Sequence, residues 1–558
     1  MRLQGIGVSP GITIGAAYVV TEPIVDVTKK SAGPDEAARL SLAIGKLAAA
    51  LSQKAAAASG TQADILESHV ILLSDPEISS EIEAMIQGEH CNCEYAAETV
   101  FEKYAEIFHQ SGDELMMMRA GDMRDIKNGL LAILSGYELP DLGAIPKGSI
   151  LAANELTTSL AAGIDETMVS GFVTGVGGPT SHMAIIARSM GLPAVAGVNR
   201  IEHGDRLIVN GDIGEVIVKP TDEELAQYSR LIEQRRIKKE ALEKYKGMPS
   251  VTRDGRTVEL FVNIGLASDI DKAAESEAEG VGLFRTEFLY MNRNTAPTEE
   301  EQFAVYKKAA LAFQGRPVII RTLDIGGDKE IPYLGLEKEE NPFLGWRAIR
   351  YCIDREEIFS AQIKAILRAS AFGSVKIMLP MISDIREVRY VKSLIEKCKA
   401  ELAMQAVAFD RGIAVGIMIE TPAAAVMAGA FAKEADFFSI GTNDLTQYVM
   451  AADRGNQKVA RLYSVYNPAV LSLVYHVAKE ARRNKIHCGI CGEAGADPVL
   501  TKFFIGCGIS ELSMAYSSIL EVRSIIRQTA YADLEATIAG SISQLASVDD
   551  SLAMLRGL

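Results

Sequence analysis

From Val251 onward the chain repeats one pattern, an apolar run of strand length followed by a helix-like stretch, and this alternation constrains its fold most. Eight such runs begin near Val258, Val281, Val318, Val375, Ala414, Phe437, Ile486 and Glu511. Strands separated by helices are what a parallel sheet requires, because each strand needs a crossover before the next can start in the same direction. Eight repeats in roughly 300 residues match a TIM barrel, and a doubly wound open sheet uses the same alternation. The polar residues favour closure. Leu283-Phe284 runs into Arg285, Ile319-Ile320 into Arg321 and Ile417-Met418-Ile419 into Glu420. Ser439-Ile440-Gly441 is followed by Thr442-Asn443-Asp444, and Gly489-Ile490 ends at Cys491. In a (β/α)8 barrel all such strand ends form one face, where active sites assemble. Strands that merely turn polar as they surface do not account for five chemically matched endings. A C-terminal (β/α)8 TIM barrel over residues 251–540 is the expectation.

The preceding residues have other textures. Residues 1–25 and 143–220 read as strands, turns and a helix, with Phe172-Val173-Thr174 and Arg206-Leu207-Ile208-Val209 as strands. Between them, 33–139 is rich in Ala, Leu, Glu and Lys. Three or four helices fit there, with junctions at Asp75-Pro76 and Ser111-Gly112-Asp113. The first and third segments form one α/β domain interrupted by a helical-bundle insertion. Residues 221–250, dense in Glu, Lys and Arg, read as a solvated linker helix. The fold class is therefore multidomain α/β.

Composition narrows the partners. With 558 residues, 48% hydrophobic and 23% charged, the chain has ample material for several cores. A net charge of −16 argues against nucleic acid or an anionic membrane and suits a basic protein partner. Seven scattered cysteines indicate a reducing compartment. Neither an apolar signal core nor a run of membrane-spanning length occurs, so a cytoplasmic location is expected.

The sharpest local motif is Gly177-Gly178-Pro179-Thr180-Ser181-His182, where a glycine turn leads into a helix that stops at Gly191-Leu192-Pro193. Thr180 or Ser181 can cap that helix, placing His182 in its first turn. Free N–H groups and the positive end of the helix dipole suit an anion carried on an imidazole, so His182 reads as a phosphate carrier, not a structural histidine. In the barrel, Arg285, Arg321 and Arg454 form an anion clamp for a small, multiply charged ligand. Glu420 and Asp444 offer hard oxygen ligands for Mg²⁺, with ion pairing to those arginines as the plain alternative. His487-Cys488-Gly489-Ile490-Cys491 contains a CxxC, but strand geometry puts the two thiols on opposite faces. Cys91-Asn92-Cys93 has the wrong spacing to complete a zinc site. Cys491 reads as a single proton-transferring thiol. No phosphate-loop motif is present, and Gly5-x-Gly7 lacks a third glycine.

These residues carry a family resemblance. The sequence resembles, nearly end to end, Enzyme I of the bacterial phosphotransferase system, the phosphoenolpyruvate–protein phosphotransferases. The opening Gly5-Ile6-Gly7-Val8-Ser9-Pro10-Gly11 is similar to theirs, as are Ser68-His69 through Pro76 and Arg119–Ile126 in the insertion. Phe284–Tyr290, Arg321–Lys329 and Asn341–Arg347 resemble the family's barrel signatures. Some are shared with pyruvate phosphate dikinase and phosphoenolpyruvate synthase, but their combination with the helical insertion is specific. The resemblance implies that His182 accepts, on Nε2, the phosphoryl group of phosphoenolpyruvate and passes it to the phosphocarrier protein HPr or a paralogue, with release of pyruvate. It implies substrate-binding roles for Arg285, Arg321, Asn443, Asp444 and Arg454, Mg²⁺ ligation by Glu420 and Asp444, and proton donation by Cys491. Lys329 and Arg347 fall in matching motifs. The insertion 33–139 is expected to bind the carrier, and the barrel to form a homodimer. The family usually has Arg where Pro179 stands, and often Thr at Met183. A dikinase or synthase needs an ATP-binding domain for which the residues before His182 leave no room. A non-catalytic binding protein would not need the intact His182, Glu420, Asp444 and Cys491.

Overall fold

The computed structural model describes the chain apart from residues 21–24, 34, 58–60, 111–113, 138–144, 157–159, 161–163, 166, 179–180, 268, 292, 294, 327–330, 337–338, 455 and 457, and some helical side chains, that of His182 among them. The chain divides into two units, Met1–Lys239 and Glu240–Leu558.

In the first unit, β1 (Arg2–Gln4), β2 (Ile6–Ser9) and β3 (Ile12–Val20) share a sheet with β4 (Ser149–Ala153), β5 (Val169–Thr174), β6 (Ala194–Ala196), β7 (Arg206–Asn210) and β8 (Glu215–Val218). The order is β1-β8-β7-β3-β4-β5-β6-β2, with β3 to β6 parallel in the middle. Between β3 and β4 lie α1 (Glu36–Ala57), α2 (Thr61–Leu73), α3 (Pro76–Glu89), α4 (Cys93–Gln110) and α5 (Glu114–Leu134). These five among the described residues exceed the three or four expected. Asp75 caps α3 by accepting from Glu77 N at 2.8 Å, with Pro76 at the first helical position. The break between α3 and α4 falls at His90, whose φ of 49° is left-handed without a glycine to announce it. The expected junction at Ser111-Gly112-Asp113 lies outside the described residues. Leu40, Leu66, Ile82, Phe101 and Leu130 fill a core for these helices that is separate from the cores on the sheet.

After β5 comes α6 (His182–Met190), and after β8 comes α7 (Asp222–Glu243). The charged segment is helical as expected, but it is not solvated on every side. Tyr228 is buried against Ile208 and Ile217 of the sheet, and its hydroxyl donates to Glu215 Oε2 at 2.7 Å. The helix therefore starts as a packed element and covers roughly 33 Å at 1.5 Å per residue, short of the whole 221–250 span.

The second unit is a closed barrel of β9 (Glu259–Ile264), β10 (Gly280–Phe284), β11 (Val318–Arg321), β12 (Val375–Leu379), β13 (Val415–Ile419), β14 (Phe437–Ile440), β15 (His487–Ile490) and β16 (Glu511–Met514). Neighbours are parallel, and β16 closes on β9 through Glu511–Glu259 to Met514–Val262. The open sheet is excluded. Side chains alternate as the pleat demands. Phe261, Leu283, Ile319, Met378, Met418, Phe437 and Cys491 form one buried cluster with a residue from nearly every strand, which is the barrel lumen. Leu260, Ile320, Ile417, Phe438 and Cys488 belong to the larger core between strands and helices. The unit runs past 540: Leu555, on the helix Val548–Gly557, joins the same core. Among the described residues no helix is long and apolar enough to cross a membrane.

At the start of β16, Glu511 is 1% exposed. A β-carbon on Gly282 would come 2.5 Å from its Oε1, so that glycine makes room for the carboxyl group. His487 lies between two acids, with Nε2 at 3.1 Å from Glu259 Oε2 and Nδ1 at 3.8 Å from Glu511 Oε2. Burial pushes the Glu511 carboxyl up to about 7, against the pull of His487 and Lys376. A carboxyl group whose folded pKa is raised favours folding fully only below its unfolded pKa, and this contribution is lost as pH rises through the folded value. The barrel should therefore lose on the order of 3 kcal/mol between about pH 4.5 and 7 from this group, and Glu511→Gln should flatten that slope. Urea unfolding followed by Trp346, the single tryptophan, checks it; identical pH slopes in both proteins would refute the assignment.

Candidate active site

The C-terminal ends of the barrel strands surround a cavity of about 400 Å³. Arg285, Arg321, Glu420, Asn443, Asp444, Arg454 and Cys491 all line it, so these residues named from the sequence converge on one place. Glu287, Phe288, Asp324, Arg347, Tyr463 and Glu493 complete much of the wall. Lys329 lies outside the described residues.

The charges at its floor are interlocked. Arg321, 6% exposed, donates from Nη2 to Glu287 Oε1 at 2.7 Å and places Nη1 3.0 Å from Asp324 Oδ2. Arg347, 4% exposed, donates from Nη2 to Asp324 Oδ1 at 2.9 Å and to Asp444 Oδ2 at 3.5 Å. Its Nη1 reaches Tyr448 OH at 3.0 Å. Burial alone would disfavour both guanidinium charges; the surrounding carboxylates outweigh it and hold both pKa values above the ordinary one. Arg285 and Arg454 are less buried, and Arg454 Nη1 lies 3.9 Å from Asp444 Oδ1. Arg321, Arg347 and Arg454 are thus both ion-paired and presented to the cavity, so the two readings of them are not exclusive.

Glu420 is 1% exposed and accepts the Met381 N–H at Oε1, 2.6 Å away. Burial, then the carboxylates of Asp444 and Asp324, push its pKa up, while Arg321 and Arg347 oppose the shift. Asp444 Oδ1 is buried without a hydrogen-bond partner. Two crowded carboxylates, one with an oxygen left unpartnered, are a donor set that fits a hard divalent cation such as Mg²⁺. Glu36, Cys93 and Glu94 also cluster, but Arg39 already occupies that position, donating from Nη1 to Glu36 at 2.9 Å and from Nη2 to Glu94 at 2.5 Å.

Cys491 faces the lumen and donates to Ile440 O at 3.6 Å, and burial pushes its thiol up to about 12. It is protonated at neutral pH, which fits a proton donor better than a nucleophile. Cys488 is in the outer core, as the strand argument required.

His182 belongs to the other unit. Ser181 caps α6, its Oγ accepting from Ala184 N at 3.4 Å, and Gly191 ends the helix with φ 67°. The backbone of His182 is therefore at the helix N-terminus; its imidazole, with Pro179 and Thr180, lies outside the described atoms. Met183 is buried in the core beneath the helix.

Asp324, Glu287 and Glu493 were not singled out from the sequence. The first two stand inside the motifs Arg321–Lys329 and Phe284–Tyr290, and an acid two or three residues past a strand-end arginine was the available signal. Asp324→Ala, which leaves two buried guanidinium groups without their shared acceptor, should cost about 3–5 kcal/mol of barrel stability. Denaturant unfolding read by Trp346 measures it, and a loss below about 1 kcal/mol, the scale of a surface pair, would contradict the buried network.

Comparison with known proteins identifies the family. Three family models match: "PEP-utilising enzyme, N-terminal" over residues 4–119, "PEP-utilising enzyme, mobile domain" over 145–214, and "PEP-utilising enzyme, PEP-binding domain" over 239–531. The phosphoenolpyruvate-protein phosphotransferase of Priestia megaterium is 42% identical over 565 aligned positions, covering 100% of this chain and 98% of the relative. Proteins of the same name from Geobacillus stearothermophilus and Haemophilus influenzae are 43% and 41% identical, covering 99% and 97% of this chain and 97% and 98% of their own lengths. With a family model over more than half its length and relatives aligned end to end, the chain belongs to the phosphoenolpyruvate-protein phosphotransferase family, Enzyme I of the bacterial phosphotransferase system.

Proposed function

We propose that the chain moves the phosphoryl group of phosphoenolpyruvate to His182 and then to a histidine of the carrier protein HPr or a paralogue, releasing pyruvate. The observation that carries this reading is the convergence of Arg285, Arg321, Arg347 and Arg454 with Glu420, Asp444 and Cys491 on one cavity at the barrel mouth. Few small metabolites demand that combination: several cations for a ligand with both phosphate and carboxylate, paired acids for a metal, and a protonated thiol.

Phosphoryl transfer asks mainly for positioning and charge stabilisation. The arginines bind and orient the anion, and their buried carboxylate partners keep them ordered in a low-dielectric floor where each contact is stronger than in water. Glu420 and Asp444 would hold Mg²⁺, which when bound neutralises charge on the substrate oxygens. The His182 Nε2 lone pair attacks phosphorus, the bond from phosphorus to the enol oxygen breaks, and its electron pair leaves with the enolate of pyruvate. Cys491 gives its thiol proton to the enolate carbon, and water restores the thiol. The Ser181-capped start of α6 stabilises negative charge on the phosphorylated imidazole. The negative net charge of the chain attracts a basic carrier. The helical segment 33–139 is the proposed carrier-binding surface, the barrel the proposed homodimer contact and the cytoplasm the proposed location.

Incubating the full chain with Mg²⁺ and phosphorus-labelled phosphoenolpyruvate should leave acid-labile, base-stable label that His182→Ala abolishes. Label persisting on His182→Ala would show that another residue is the acceptor. Glu420→Ala should also lose labelling from phosphoenolpyruvate but still accept label from a phosphorylated carrier.

A further inference from the structure

Glu493 follows Cys491 and Gly492 off the end of β15 and stands exposed at the rim of the barrel cavity. Both its main chain and its side chain reach Asn443, in the first turn of the helix Thr442–Met450. The Glu493 N–H donates to Asn443 Oδ1 at 3.1 Å, and Asn443 Nδ2 donates to Glu493 Oε1 at 3.1 Å. A backbone N–H can only donate, so its partner must be the amide oxygen, and the contact itself fixes which way the amide faces. With its oxygen engaged by a donor and one Nδ2 hydrogen on the carboxylate, Asn443 retains one N–H for a ligand. Tyr463 OH donates to the Asn443 carbonyl at 3.2 Å and holds the residue from its backbone side.

The clasp needs Gly492. A β-carbon there would come 1.9 Å from Thr442 Oγ1 and 2.8 Å from Thr442 N, so a side chain would push the loop off the start of the helix and carry Glu493 away from Asn443.

We propose that Glu493 is a positioning residue for the substrate anion: by clasping the Asn443 amide at both ends it fixes the amide so that its remaining N–H is presented to the ligand. The proposal rests on the reading of this cavity as the phosphoenolpyruvate site. An N–H fixed in this way favours a ligand that presents phosphate or carboxylate oxygen to it and works against one that presents a hydroxyl or amide hydrogen at the same place, because two donors would then face each other. A negative charge at the mouth of an anion site is otherwise unfavourable, and the clasp explains its presence.

The test is a double-mutant cycle in the full chain, reading KM and kcat for phosphoenolpyruvate with Mg²⁺ and a saturating carrier. Glu493→Ala should raise KM for phosphoenolpyruvate about tenfold, the scale of one hydrogen bond to a charged group. Glu493→Gln, whose side-chain carbonyl can still accept from Nδ2, should stay within roughly threefold of the parent. In an Asn443→Ala background, Glu493→Ala should add nothing, a result that a general structural defect would not give. Additive losses would overturn the proposal. A lower KM in Glu493→Ala would overturn it too, because the carboxylate would then be acting only as a repelling charge. If the parent itself does not turn over phosphoenolpyruvate, the functional reading fails and the proposal with it; a working parent with additive variants removes the proposal alone.

Discussion

Asp324 holds Arg321 on one side and Arg347 on the other, and the floor of the barrel cavity depends on that shared carboxylate. Two guanidinium groups forced this close below the surface repel each other and lose hydration; an acid between them reverses both penalties. Glu287 and Asp444 extend the same pattern outward, so that cations and anions alternate across the strand ends. The arrangement gives a site whose charges are held in fixed positions by one another. An entering anion meets donors already in place, and little reorganisation remains to oppose the chemistry.

The barrel makes such an arrangement possible. Parallel strands all end at the same mouth, so side chains far apart in sequence, such as Arg321 and Asp444, become neighbours without any local motif joining them. The pleat sorts the rest. Cys491 points into the lumen, where burial keeps its thiol protonated, while Cys488 lies in the packing between strands and helices, where it fills space. One dipeptide spacing separates a thiol that lines the cavity from one that packs in the outer core.

What could be read from the sequence follows from these physics. Barrel strands were legible to within a residue, because each is a short, mostly apolar run bounded by polar turns; Val318, Val375, Phe437 and Glu511 begin strands where the pattern placed them. Residues delivered directly by a strand end, such as Arg285, Glu420 and Cys491, were legible for the same reason. The break at His90 was not, since a left-handed histidine leaves no compositional trace. Nor was the anchoring of the charged helix, whose one buried side chain, Tyr228, stands among many ionic neighbours. Asp324 and Glu493 were missed because their importance lies in what they touch, and both contacts are settled by tertiary structure.

The central claim is that phosphoenolpyruvate is split on this chain with the phosphoryl group retained by the protein, and a single-turnover quench tests it most directly. Without carrier, the full chain mixed with Mg²⁺ and excess phosphoenolpyruvate should release pyruvate in one burst and then stop, the pyruvate matching the protein-bound phosphate mole for mole. Continued pyruvate release without bound phosphate would mean that water is the acceptor, and would contradict the account.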